Sequence, residues 1–170
     1  MLNYINIRSQ KVSVNLNKQF LAIGIVAAIF AVALLSPPQT KQETGSEISF
    51  ETIAKGEHSA YTDATQMVIN QQFVFSDLWK KMHAIYSEIP NEPQIDFSSS
   101  TAIAVFMGQK NTGGYSIEIV KILDAGDNVV VYVKETKPWP GSIVTQALTQ
   151  PYHIVKTEKL TKPVVFEKAE

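Results

Sequence analysis

Residues 115–136 read YSIEIVKILDAGDNVVVYVKET, two strand-like runs joined by a turn. In the first, Ile117, Ile119 and Lys121 alternate with Glu118, Val120 and Ile122, the two-residue period of a strand with two distinct faces. Asp124-Ala125-Gly126-Asp127 consists of residues that tolerate the backbone of a tight turn. The run 129–136 follows directly, so the two segments are predicted to pair as an antiparallel hairpin.

Further strands are predicted on both sides of this hairpin. Upstream, 101–107 (TAIAVFM) is a short continuous apolar run, and 52–55 and 66–69 are shorter candidates. Downstream, 152–158 (YHIVKTE) and 164–167 complete the set, after a Pro- and Gly-rich loop from 137 to 151. One helix is signalled. Ser76 is a suitable N-cap and Asp77 suits the positive end of the helix dipole. Leu78, Trp79, Met82, Ile85 and Tyr86 recur at helical spacing, Lys80, Lys81 and Glu88 fall on the outer side, and Pro90 and Pro93 prevent continuation. The predicted class is α+β: a mostly antiparallel sheet or small sandwich with one packed helix, preceded by an N-terminal hydrophobic helix.

That hydrophobic helix is residues 20–35, FLAIGIVAAIFAVALL, uncharged and closed by Ser36-Pro37-Pro38. As a helix it spans about 24 Å, against about 30 Å for a hydrocarbon core. It is also longer than the usual apolar part of a signal peptide. Ala31-Val32-Ala33 offers a small-x-small cleavage site, whereas the long polar leader favours an uncleaved anchor. In either case the basic side is expected in the cytoplasm and the rest outside. Residues 36–50 read as a polar tether and 51–170 as the strand-rich domain.

Charge narrows the partner classes. The chain has formal net charge −1. Arg8, Lys11 and Lys18 stand before residue 36 with no acidic residue among them. The remainder is therefore mildly acidic and contains no arginine, a poor composition for reading nucleic acid or anionic lipid. With no cysteine, disulfides, thiolate metal sites and thiol catalysis are excluded.

Little else suggests chemistry. His58, His83 and His153 are not at metal-ligand spacing. Ordinary core-edge or surface roles are expected for them, with His83 partly exposed. Residues 108–115 (GQKNTGGY) superficially resemble a phosphate loop, but no Lys-Ser/Thr follows the glycines and a strand follows instead of a helix. A hairpin loop is the better reading, with Gly113 and Gly114 supplying positive φ. Ser142 and His153 lack an orienting acid for a dyad. Glu118 and Glu135 fall among solvated charges rather than forming a glycosidase pair. No catalytic residue, metal or cofactor is expected, and the protein is read as a non-enzyme.

Trp139 instead points to binding. In Lys137-Pro138-Trp139-Pro140-Gly141 two prolines stiffen the loop around it, and a Trp on a rigid loop loses little entropy on docking. The alternative, Trp139 folded back as a lid on the core, stands equally at this point.

Residues 104–119 (AVFMGQKNTGGYSIEI) and 144–156 (VTQALTQPYHIVK), with 138–141 and the VVVYVKET strand, resemble the C-terminal domain of PrcB-type protease-complex subunits. The resemblance covers about residues 95–160, and the Leu78-Trp79 helix resembles the region preceding that domain. It implies an exported, non-catalytic module that binds and stabilises a surface or secreted protease complex, and it carries over no catalytic residue. The Asn-Thr-Gly-Gly-Tyr and Lys-Pro-Trp loops are also similar to the wedge loops of chagasin-type cysteine-protease inhibitors, with the first loop's Pro absent and Lys in place of Arg. A structural envelope role is a third alternative. The expected contact residues are Thr112, Gly113, Gly114, Tyr115, Pro138, Trp139, Pro140 and Gly141. The expected partner is a protein, most simply a protease, with no nucleic acid. Membrane contact runs through 20–35 if the leader is uncleaved, and the oligomeric state is left open.

Overall fold

The computed structural model describes residues 45–169, so the apolar run at 20–35 lies outside the described residues. Eight strands and one helix follow in the order β1 (Ser46–Glu47), β2 (Phe50–Gly56), β3 (Ala64–Ile69), α1 (Gln72–Met82), β4 (Ser100–Met107), β5 (Ser116–Asp124), β6 (Val129–Thr136), β7 (Tyr152–Glu158) and β8 (Val164–Lys168). They form two four-stranded sheets, β1-β5-β6-β8 and β2-β7-β4-β3. All pairings are antiparallel except β6 with β8. The predicted hairpin is present: Asp124 pairs with Val129, Ala125 N–H donates to Asn128 O, and Gly126 has φ +93°.

Strand β4 explains the layering. Every residue from Thr101 to Met107 is buried. Ile103, Val105 and Met107 pack with Ile117, Ile119, Ile122, Val131 and Val155 between the two sheets. Ala102, Ala104 and Phe106 pack with Phe75, Trp79 and Met82 on the opposite face, beneath α1. The central sheet is thus covered on both faces, and a strand covered on both faces reads as an unbroken apolar run. The layers are helix, sheet, sheet.

The helix starts earlier than its predicted cap. Its N-cap is Gln71, which makes no side-chain cap bond. Ser76 lies inside the helix and donates to Glu92 Oε1 at 2.7 Å. The start is shifted because Phe75 is buried completely and draws the preceding turn into the helix. The helix also ends at Met82, so Ile85 and Tyr86 are exposed rather than on the core face. His83 is buried rather than partly exposed: its Nδ1 lies 2.9 Å from Trp79 O and its ring 4.4 Å from the indole.

The first strand among the described residues falls inside the stretch read as a tether. Ser46 and Glu47 pair with Asp124 and Leu123, and Ile48 is buried in the inter-sheet core. Alternation in β5 is broken by a bulge between Ile119 and Lys121, which exposes Val120 and returns Ile122 to the core. Residues 108–115 do not close a hairpin, because β4 and β5 belong to different sheets and the loop crosses between them.

Candidate partner-binding end

Three loops meet at one end of the sandwich: 57–63, 108–115 and 137–151. Strand register fixes this, since Gly56 and Phe106 both pair with Tyr152, Ala64 pairs with Met107, and Ser116 pairs with Thr136. The loops are bonded to one another. Gln109 N–H donates to Thr62 O at 2.9 Å and Gln150 N–H donates to Glu57 O at 2.7 Å. Lys110 and Thr149 exchange both main-chain bonds, at 2.8 and 3.0 Å. Gly113 N–H donates to Thr145 O at 2.9 Å, and the buried Thr149 hydroxyl donates to Thr112 O at 2.9 Å.

The two glycines have different reasons to be there. Gly114 has φ +83°, and a Cβ on it would stand 3.1 Å from Pro138 Cβ and from Val144 Cγ1. Gly113 does not have positive φ. It is buried, and a Cβ there would collide with Thr145 Oγ1. The expectation of two left-handed glycines therefore holds for one of them; the other is set by close approach of the neighbouring loop.

At the tip, Ser142 N–H donates to Trp139 O at 3.0 Å, and Gly141 has φ +85°. Proline at the second position and a left-handed glycine at the third are the requirements of a type II turn. Trp139 opens that turn and is 85 % exposed, so it is not a lid on the core. Ile143 and Leu148 on the same loop are also exposed.

Of the eight expected contact residues, Trp139, Pro140, Gly141 and Gly114 are exposed. Pro138 and Thr112 are half-buried, Gly113 is buried, and Tyr115 packs against the inter-sheet core. The structure brings the 112–115 and 138–141 segments together through Gly114 and Pro138. Ile143, Leu148, Thr145 and Thr149 complete the end and were not singled out in the sequence. Their signal, isolated apolar and β-branched residues in a polar loop, is weak.

The histidines do not assemble a reactive group. His153 is buried in β7; its Nδ1 accepts the Ile119 amide at 2.9 Å and its Nε2 lies 2.9 Å from Thr52 Oγ1. An acceptor at Nδ1 places the proton of the neutral ring on Nε2, which donates to Thr52. Both nitrogens are occupied, and neither meets Ser142. Burial, with Lys55 nearby, lowers the His153 pKa to about 4. Glu118 pairs with Lys55 at 2.8 Å, and this contact holds its carboxyl below the ordinary range. Among the described residues no group of His, Asp and Glu is placed to hold a metal ion.

Residues 101–158 match the PrcB C-terminal family. The matched stretch runs from β4 through β7 and includes both the glycine loop and the Trp139 loop. The PrcB resemblance of 104–119 and 144–156 therefore stands, while β1–β3, α1 and β8 lie outside the matched residues. No curated protein and no solved structure matches the chain.

Proposed function

We propose that this protein is a non-catalytic interaction module that binds and stabilises a surface or secreted protease complex through the loop end of its PrcB-like sandwich. One observation carries the proposal: Trp139 stands 85 % exposed at the start of a Pro-Gly turn whose loop is braced against the glycine loop. A large aromatic group carried into solvent on a backbone fixed by a turn has the backbone part of its ordering cost met in advance, a property of an interface anchor. The PrcB match supports a protease-complex protein as the partner.

Among the described residues no helix is long and apolar enough to cross a membrane.

The test is capture with the full chain as bait from an envelope extract of the source cells, followed by protease assay of the eluate. Recovery of one stoichiometric protease that keeps its activity supports the stabilising role. Recovery of a protease silenced in the complex would replace that role with inhibition. A folded bait that retains no protease would overturn the proposal.

A further inference from the structure

The loop that carries Trp139 is held to the domain at few points. Among the described residues one main-chain bond ties 137–148 to other segments, from Gly113 N–H to Thr145 O at 2.9 Å. Pro138 and Val144 pack on the next residue, where a Cβ on Gly114 would stand 3.1 Å from each. Pro138 directly precedes Trp139. Where the Trp139 backbone stands therefore follows from where Gly113 and Gly114 are held.

These two glycines are held in turn from both sides. On one side Tyr115 packs against the inter-sheet core. On the other, Thr112 O accepts the Thr149 hydroxyl at 2.9 Å. Thr149 is fixed independently of the glycines. It exchanges main-chain bonds with Lys110, and the following Gln150 N–H donates to Glu57 O. Thr149 is 2 % exposed, so its hydroxyl needs a protein partner, and Thr112 O supplies it. Gln150 Nε2 also donates to Gln109 Oε1 at 3.2 Å, but that bond is exposed and lies outside 112–114.

We propose that Thr149 is the positioning residue of this end: its hydroxyl, acting through Thr112, holds Gly113 and Gly114 as the seat on which the Trp139 loop rests. That the seated loop serves a partner rests on the function proposed above; the seat itself does not. Valine at 149 would keep the branched shape and both main-chain bonds with Lys110 but leave Thr112 O without this donor. Serine would keep the donor.

The experiment compares the isotope-labelled full chain with Thr149→Val and Thr149→Ser. Backbone order parameters of 112–114 and 139–145 should be about 0.85 in the parent and fall to about 0.6 in Thr149→Val, with β4 and β6 unchanged. Thr149→Ser should match the parent. A hydroxyl that only stabilised the fold would lower the melting temperature and leave these order parameters alone. Capture of the protease partner by Thr149→Val should fall by about fivefold, the worth of one hydrogen bond, with Trp139 intact.

Loops already mobile in the parent would overturn the proposal without any variant. So would unchanged order in Thr149→Val, or equal loss of order in Thr149→Ser. It would also fall if Trp139→Ala lost the partner while Thr149→Val, with its loops loosened, kept it. If the loops loosened as expected but neither Thr149→Val nor Trp139→Ala lost the partner, the seat would stand and the binding role of the loop end would be the part refuted.

Discussion

His153 and Ile119 are joined across the two sheets: the imidazole Nδ1 of the central sheet accepts the backbone amide of the outer one at 2.9 Å. The amide lies beside the β5 bulge, where the ladder to β6 shifts register. The other ring nitrogen reaches Thr52 Oγ1, beside the bulge in β2. One neutral ring thus satisfies polar groups next to two irregularities. In its charged form Nδ1 would carry a proton and face the Ile119 N–H as donor against donor.

Acid should therefore destabilise the fold in a defined window. The folded pKa of His153, about 4, is below its ordinary value of 6.5. The unfolded chain then takes up a proton on this residue before the folded chain does. Stability from the neutral ring is full above pH 6.5, falls as pH drops towards 4 and levels off below that. The total loss is about 3 kcal/mol. Glu118 and Asp124, with pKa values lowered by Lys55 and Lys162, lose their contributions lower, as pH falls through the carboxylate range. Urea unfolding from pH 7.5 to 4.5 should show the decline in the parent and a flatter profile in His153→Gln, whose amide can replace both bonds. Equal slopes would place the pH dependence elsewhere.

Gly113 and Thr145 should be energetically coupled. Gly113→Ala places a methyl against Thr145 Oγ1 and should destabilise by about 1–3 kcal/mol. Thr145→Ala removes that oxygen, so the double variant should recover most of the loss. Gly114→Ala should not be rescued in this way, because its φ of +83° is strained for any side chain. Thermal melts of the four proteins distinguish the two causes.

The helix start gives a third contrast. Ser76→Ala would cost about 1 kcal/mol if Ser76 were the N-cap. With Ser76 inside the helix and bonded to the partly exposed Glu92, a smaller loss is expected. Phe75→Ala, which empties a fully buried position beneath the helix, should cost about 3–5 kcal/mol. Phe73→Ala, at an exposed position, should change little.

Much of the architecture was legible in the sequence because period and turn chemistry are local. The boundaries of β6 and β7 and the loop from 137 to 151 agree with the structure, and the turn expected at 124–127 lies one residue later, at 125–128. What was not legible depends on contacts between distant segments. The bulge at Val120 is held by a histidine 33 positions away. The helix start depends on Phe75 meeting β4, and the crossing of the 108–115 loop depends on which sheet each strand joins. At the loop end, Pro138 and Pro140 mark a stiffened loop in the sequence, but the turn at 139–142, the exposure of Trp139 and the buried position of Gly113 depend on how the 137–151 loop rests on its neighbour.

Trp139→Ala tests the central claim most directly, through melting temperature and capture of the protease partner measured on the same full-length protein. The account predicts an unchanged melting temperature, because the side chain is 85 % exposed, with captured partner reduced by about tenfold or more, as for loss of an interface anchor. Undiminished capture by a folded variant, or loss of the melting transition, would contradict it.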